Sequence, residues 1–273
     1  MATKAFIVGL AKYANPKNNL DGVENDVSAL IGLLSKFGVT DLEVVRDSNA
    51  TANNIRNGLR NLVSGAKSGD TRIFYYSGHG ALLPPDFSGT DDPDGRDEAL
   101  VPYEGDVSSL ILDNWVAGFL KNSLPKDVFL WSVYDACHSG DMFKDAVIAG
   151  LPPPFPSDAK EKIIQFEDLV FDFAPMRISP RIGLPTTKAL ILDSGIPNSV
   201  HFGAAEPEKT ALVQQIQGVR RSVFTWALEQ TAQHGMSVVD FETAITAKQA
   251  TVTSHHKPQI ACADANKQRK LFS

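Results

Sequence analysis

Two short segments of the chain carry residues that could act together as a nucleophile and a base. Cys137 lies in the segment Asp-Ala-Cys-His-Ser-Gly at 135–140, after an apolar run, and His79 lies in Ser-Gly-His-Gly at 77–80, after another. A thiol attacks a carbonyl when a base accepts its proton, and histidine is the commonest such base. Each residue could instead be merely buried, but the small and polar neighbours favour chemistry. We therefore predict a Cys137–His79 dyad for acyl transfer, with the backbone N–H groups of Gly78 and Cys137 as oxyanion donors.

The two apolar runs, at 73–76 and 128–133, are typical of buried strands that end where small and polar residues begin. Neighbouring parallel strands would bring Cys137 and His79 to the same edge of a sheet. Over the first 80 residues, strand patterns alternate with amphipathic helix patterns. This alternation predicts an α/β protein with a mostly parallel sheet.

Composition limits the function classes. The chain has 273 residues, 43% of them hydrophobic and 21% charged, with a net charge of −6. This balance argues against a general nucleic-acid surface, which requires clustered Lys and Arg. The apolar runs are too short to cross a bilayer, so no membrane partner is expected. Residues 1–10 are interpreted as a first strand rather than a signal peptide, and the two cysteines fit a reducing cytoplasm.

We predict one domain, 1–273, in three parts. Residues 1–142 would hold the dyad, 143–190 would form an irregular excursion on the surface, and 191–273 would complete the sheet. Pro-rich sequence at 151–156 rules out helix or central strand there. Residues 206–218 are predicted as a polar loop and 219–233 as a helix.

The segments at 77–80 and 135–140 resemble those of metacaspases and prokaryotic orthocaspases, within the caspase-like cysteine peptidases. Asp135 stands where true caspases have Gln. Further similarity lies at 20–26, 94–102 and 111–113. The resemblance implies a caspase-hemoglobinase fold, with a mostly parallel six-stranded sheet flanked by helices on both faces, and hydrolysis of peptide bonds.

The resemblance also implies cleavage after Arg or Lys. In metacaspases the pocket for the residue before the scissile bond is acidic, and the matching positions are Asp26, Ser77 and Asp135. Two carboxylates beside the nucleophile suit a cationic side chain, which pairs with them. The alternative for Asp26 is a residue at a helix start, favoured by the helix dipole.

Metal binding and processing are further implications of the resemblance. Asp97 and Asp113 match positions that bind calcium in many metacaspases, although a solvated acidic loop explains them equally well. No cofactor is expected for the chemistry itself. Arg177, Arg181 and Lys188 lie in the excursion, and cleavage after one of them, by this enzyme or by an activating protease, would convert an inactive zymogen into the active enzyme. They could equally be ordinary exposed residues.

Two other functions compete with a cysteine endopeptidase. A catalytically silent, caspase-like regulatory module could bind peptides with the same pocket. A cysteine hydrolase could act on a non-peptide ester or amide. The expected partners are proteins or peptides with Arg or Lys before the scissile bond, and the expected oligomeric state is a monomer.

Overall fold

The computed structural model describes residues 1–83, 97–137, 156–164, 168–169, 196–206 and 209–271. The strands among these residues are β1 (Thr3–Gly9), β2 (Asp41–Arg46), β3 (Thr71–Ser77), β4 (Gly80–Leu83), β5 (Asp97–Leu100), β6 (Ile111–Leu112), β7 (Phe129–Asp135), β8 (Lys160–Glu161), β9 (Ser199–Gly203), β10 (Leu212–Ile216), β11 (Val219–Ser222) and β12 (Gln259–Cys262). The α-helices are α1 (Val23–Lys36), α2 (Ala52–Val63), α3 (Asp113–Ser123), α4 (Val223–Thr231) and α5 (Val238–Ala250).

A six-stranded sheet forms the centre of the fold, in the order β12-β9-β7-β3-β1-β2. Each neighbouring pair is parallel except β9 and β12. The predicted α/β class and mostly parallel sheet are confirmed. Strands from residues 1–142 and from 191–273 lie side by side, because β9 pairs with β7.

Helices cover both faces of this sheet, as the resemblance implied. The first strand shows why, because its side chains alternate between two cores: Ala5 and Ile7 pack in one, and Phe6 and Val8 pack in the other. Buried residues of α1, α4 and α5 contribute to the first core, and those of α2 and α3 to the second. A strand buried on both faces reads as a continuous apolar run. Among the described residues, no helix has the length and apolar character needed to cross a membrane.

A hairpin at 212–222 replaces the second half of the predicted polar loop at 206–218 and the first turn of the helix predicted at 219–233. Strands β10 and β11 pair antiparallel, and the turn residues Gln217 and Gly218 have φ of 53° and 81°. Two successive positive φ values give the turn that best matches strand twist. Helix α4 begins at Val223 instead of Val219, because the Ser222 hydroxyl accepts the N–H of Thr225 and caps the helix.

Candidate active site

The predicted dyad lies at the carboxyl ends of two neighbouring strands. Ser77, the last residue of β3, is paired with Asp135, the last residue of β7. His79 and Cys137 each follow two residues later. Both are buried, with 6% and 2% of their surfaces exposed.

His79 is held at its backbone and at one ring nitrogen. Its N–H donates to the Tyr13 hydroxyl at 2.7 Å, and its carbonyl accepts the Tyr76 hydroxyl at 2.7 Å. Its Nε2 lies 2.9 Å from the carbonyl oxygen of Asn18. Nδ1 is buried and has no hydrogen-bond partner among the described residues. Because a carbonyl only accepts, Nε2 carries the proton and Nδ1 presents a lone pair. Burial lowers the pKa of His79 to about 4, so the ring is neutral near pH 7.

The glycine before His79 fits a crowded turn. A Cβ at Gly78 would lie 2.9 Å from the hydroxyl oxygens of Tyr13 and of Tyr76, the groups that hold His79. The Gly78 N–H donates to the Asp135 carbonyl at 3.4 Å. It is therefore directed at a neighbouring strand, and the structure does not bring it to the carbonyl described below.

The Cys137 thiol is enclosed by backbone. Sγ contacts the backbone N–H of Ala211 and lies 3.6 Å from the Ala211 carbonyl oxygen. Burial raises the pKa of the Cys137 thiol, because a thiolate is poorly solvated there. In this arrangement the thiol is protonated and requires a base to become a nucleophile.

The three predicted pocket residues meet in the interior beside the dyad. Asp26 lies on α1, and Ser77 and Asp135 lie at the ends of their strands; all three are fully buried. The Ser77 hydroxyl donates to Asp26 Oδ2 at 3.4 Å. The Ser222 N–H donates to Asp26 Oδ1 at 2.9 Å. Burial raises the pKa of Asp26 above its ordinary value, so a cation nearby is needed to keep it ionised.

Asp135 is fixed by the first turn of α4. The Ser222 hydroxyl donates to its Oδ1 at 2.9 Å, and the Thr225 hydroxyl donates to its Oδ2 at 2.6 Å. Because the Thr225 proton is used on Asp135, the Tyr75 hydroxyl donates to Thr225 Oγ1, at 2.7 Å. Both carboxylate oxygens therefore have donors even before a cation is considered.

A lysine of the chain itself occupies this pocket. Lys162 is fully buried, and its Nζ lies 2.9 Å from Asp135 Oδ1 and 3.6 Å from Asp26 Oδ2. Nζ also donates to Ser77 Oγ at 2.8 Å and to the Asp135 carbonyl at 3.0 Å. The ammonium thus contacts each of the three residues predicted to bind Arg or Lys.

The backbone of Lys162 is bound at the dyad as well. Its carbonyl oxygen accepts the N–H of Gly80 at 3.0 Å and the N–H of Cys137 at 3.2 Å. Two backbone donors that converge on one carbonyl oxygen form the arrangement that stabilises an oxyanion. One donor is the predicted Cys137 amide, and the other belongs to Gly80 rather than to Gly78.

The flanking residues form an extended peptide across the site. Lys160 and Glu161 pair antiparallel with Val213 and Leu212 of β10. On the other side, the Ile164 N–H donates to the Gly80 carbonyl at 3.0 Å. The prediction of a surface excursion was therefore wrong for the part at 161–164, which enters the site and buries Lys162, whereas most of 156–160 is exposed.

Other predicted residues are not brought to the site by the described structure. Asp113 is buried at the start of α3, where its Oδ1 accepts the Asn114 N–H at 2.7 Å. The side chain of Asp97 and the residues Arg177, Arg181 and Lys188 lie outside the described parts. Within the described parts, no three His, Cys, Asp or Glu residues are grouped to hold a metal ion. Calcium binding and the three predicted cleavage sites stay predictions.

Sequence reasoning missed Lys162, Gly80, Ser222 and Thr225. Lys162 follows Lys160 and Glu161, and such a charged run is typical of a solvated strand or loop. The one signal was the pair Ile163 and Ile164 next to it, which indicates partial burial. Gly80 could have been found, because it follows His79 in the same small-residue turn.

Comparisons with known proteins identify the family and the fold of the chain. The caspase domain family matches residues 2–273. Metacaspase-6 of Arabidopsis thaliana is 36% identical over 154 residues, and Metacaspase-1 of Candida albicans is 31% identical over 150 residues. These matches cover 54% and 51% of this chain but only 40% and 33% of the two relatives, so the chain spans less than half of their length.

Solved structures show the same fold at low identity. Protein GSU0716 from Geobacter sulfurreducens has a TM-score of 0.69 and 17% identity, and covers 100% of this chain and 99% of its own. Caspase-1 from Spodoptera frugiperda has a TM-score of 0.56 and 11% identity, over 95% of this chain and 86% of its own. The family match extends along nearly the whole sequence, and the chain belongs to the caspase-domain family of cysteine peptidases.

Proposed function

We propose that the chain is a cysteine endopeptidase that cleaves after Lys or Arg, and that it is held inactive by its own Lys162. The observation that carries this proposal is the double engagement of Lys162. Its ammonium is bound by Asp26, Ser77 and Asp135, and its carbonyl oxygen is bound by the amides of Gly80 and Cys137. Lys162 is thus held as the residue before a scissile bond, and Ile163 as the residue after it.

The pocket favours a cation for electrostatic reasons. Two carboxylates and one ammonium meet in an interior where none of them is solvated. Removing an ion from water is costly unless its partners are close and fully hydrogen-bonded. A Lys or Arg side chain supplies a positive charge and several N–H donors, whereas an Asp side chain would add a third carboxylate. Cleavage after Asp is therefore disfavoured.

His79 and Cys137 have separate roles in the proposed chemistry. His79 Nδ1 accepts the proton of the Cys137 thiol as Sγ attacks the carbonyl carbon of the bound Lys or Arg. The amides of Gly80 and Cys137 stabilise the oxyanion. The C–N bond then breaks, His79 gives its proton to the leaving amine, and a thioester remains on Cys137. Water hydrolyses the thioester, with His79 accepting a proton from that water, and the free thiol is restored.

The carbonyl of Asn18 has a supporting part in these steps. It fixes the His79 ring through Nε2, 2.9 Å away, and selects the tautomer with a lone pair on Nδ1. It also stabilises the positive charge when His79 holds the thiol proton, because the Nε2–H bond then becomes charge-assisted.

A catalytically silent, peptide-binding module is the second candidate. The observation that favours it is that the pocket is already filled by a fully buried side chain, and that Cys137 is 2% exposed. In such a module Lys162 would fill the pocket permanently and would not be cleaved. In a zymogen Lys162 would be the first substrate. Cleavage of the Lys162–Ile163 bond would then free the new amino terminus at Ile163.

Peptide reporters separate the two candidates. The purified 273-residue chain is first incubated so that it can cleave itself after Lys162, and is then assayed on reporters that end in Arg, Lys or Asp before a fluorogenic amine, with and without calcium. Cleavage of the Arg and Lys reporters, with loss in Cys137→Ala and in Asp135→Asn, is expected. The calcium arms test the separate proposal that Asp97 and Asp113 bind the ion. Equal cleavage of the Asp reporter, or activity that survives Cys137→Ala, would contradict the proposed peptidase.

A further inference from the structure

The 156–164 segment runs antiparallel to β10 from Lys160 onward and begins with a turn, in which the Ala159 N–H donates to the Pro156 carbonyl at 2.9 Å. Lys160 lies opposite Val213, Glu161 lies opposite Leu212, and the Lys162 N–H donates to the Ala211 carbonyl at 3.1 Å. Extending this register by two residues places Asp158 opposite Gln215. Asp158 lies in this turn, four residues before Lys162.

A carboxylate takes the place of a backbone carbonyl at this position. The Gln215 N–H donates to Asp158 Oδ2 at 2.8 Å, whereas an ordinary ladder bond would use the backbone oxygen of residue 158. That backbone oxygen accepts Arg220 Nη2 instead, at 2.7 Å, and Arg220 Nη1 lies 4.0 Å from Asp158 Oδ2. Ladder bonds alone are indifferent to the side chain. Here the Gln215 N–H donates to the Asp158 carboxylate, and the Arg220 guanidinium lies close to the same carboxylate.

Arg220 is anchored by the scaffold rather than by the segment. It lies on β11, and its carbonyl oxygen accepts Asn25 Nδ2 at 2.8 Å, which ties β11 to α1. Its side chain is 21% exposed, against 42% for that of Asp158. A peptide that docks on β10 as the segment does, with the same turn before its paired residues, would therefore meet Arg220 at its fifth residue, counting the cleaved residue as the first.

We propose that Arg220 and the Gln215 amide form a subsite that selects substrates with an acidic side chain, best Asp, four residues before the cleaved Lys or Arg. The inference rests on the proposed function, because Lys162 sets the register. The subsite requires a negative charge near the amino end of the bound peptide, in addition to the positive charge that the pocket requires at the cleaved residue. Substrates of this class are peptides of mixed charge, with Asp and Lys or Arg at that spacing and a turn at the Asp.

Matched peptides test the subsite. The 273-residue chain, after it has cleaved itself, is assayed on Pro-Ser-Asp-Ala-Lys-Glu-Lys and Pro-Ser-Asn-Ala-Lys-Glu-Lys reporters and on a short reporter that carries Lys alone. We expect the Asn peptide to have a KM about fivefold higher at unchanged kcat. The difference should vanish in Arg220→Gln and persist in Arg60→Gln, a control on the distant helix α2. It should also shrink at high salt, because the pair is partly exposed.

The outcomes separate this inference from the function on which it rests. Equal KM values for the two peptides, on an enzyme that cleaves the short reporter, overturn the subsite and leave the peptidase standing. If the short reporter is not cleaved, the peptidase fails, and hydrogen exchange in Cys137→Ala decides the subsite. The Gln215 amide should then exchange about tenfold faster with Asp158→Ala than with native Asp158; equal protection overturns the proposal.

Discussion

Lys162 Nζ lies 2.9 Å from Asp135 Oδ1, and neither side chain is exposed to solvent. The two residues are 27 positions apart, one at the end of a central strand and the other in a segment that enters the site from outside the sheet. The acidic pocket and the lysine that fills it are therefore joined by a buried ion pair, which couples folding of the 156–164 segment to the charge of the pocket.

The first prediction concerns the stability of this closed form. Lys162→Gln in a Cys137→Ala background leaves Asp26 and Asp135 buried without a cation. Breaking a buried pair costs about 3–5 kcal/mol, and we expect about 3 kcal/mol here, because release of the segment lets water reach the carboxylates. The free energy of unfolding in urea measures it.

Lys160→Gln is the matched control for this measurement. It removes the same charge two residues away, from an exposed side chain, and should change stability by less than about 0.5 kcal/mol. Equal stability of the two variants would show that the ion pair does not hold the segment in place.

The second prediction concerns the support of Asp135. Thr225→Val removes the donor to Asp135 Oδ2 and the partner of the Tyr75 hydroxyl. A hydrogen bond to a charged group contributes about 1.5–3 kcal/mol, so we expect KM for the Lys reporter to rise at least about tenfold. The kcat should change little, because Thr225 contacts neither Cys137 nor the scissile bond.

Thr231→Val, on the same helix, controls for the loss of a hydroxyl, since Thr231 Oγ1 donates only to the Ala227 carbonyl in the described structure. A fall in kcat with KM unchanged in Thr225→Val would contradict a positioning role in the pocket.

Sequence patterns identified the framework of this site better than its occupant. Apolar runs predicted β1, β3 and β7, because strands buried on both faces need apolar side chains throughout. The ends of those runs located His79 and Cys137. By contrast, β10 and β11 carry Gln and Arg and were predicted as loop and helix. Their conformation follows from the hairpin turn at Gln217 and Gly218 and from pairing with β8.

Lys162 could not be predicted because its burial depends on partners far away in the sequence. A lysine is rarely buried unless it is paired, and its partners Asp26 and Asp135 are 136 and 27 residues away. The residues next to Lys162 in the sequence do not indicate that it pairs with Asp26 and Asp135. The resemblance implied which residues form the acidic pocket, but only the structure places a lysine in it.

The third prediction is a loss of stability in acid. Burial lowers the pKa of His79, His201 and His256 to about 4 each, against about 6.5 in an unfolded chain. Between these values the unfolded state binds protons that the folded state does not. The stability these groups provide is therefore complete above pH about 6.5 and decreases as the pH falls towards 4.

His201→Gln isolates one of these groups. Its ring nitrogens contact Ser132 Oγ at 2.5 Å and Ser199 Oγ at 2.8 Å, hydrogen bonds that an amide can replace without titrating. The variant should lose about 2 kcal/mol less than wild type between pH 7.5 and pH 5 in urea unfolding. His234→Gln, at an exposed position, controls for the removal of a histidine. An unchanged pH dependence in His201→Gln would mean that this histidine is not the source.

The fourth prediction is self-cleavage after Lys162, and it tests the central claim most directly. Intact mass spectrometry of the purified chain, incubated with and without calcium, should show fragments 1–162 and 163–273. They should be absent in Cys137→Ala and in Lys162→Gln, and present in Lys162→Arg and Lys160→Gln. Cleavage only after Arg177, Arg181 or Lys188, or cleavage that persists without Cys137, would contradict the account of Lys162 as the bound substrate of its own active site.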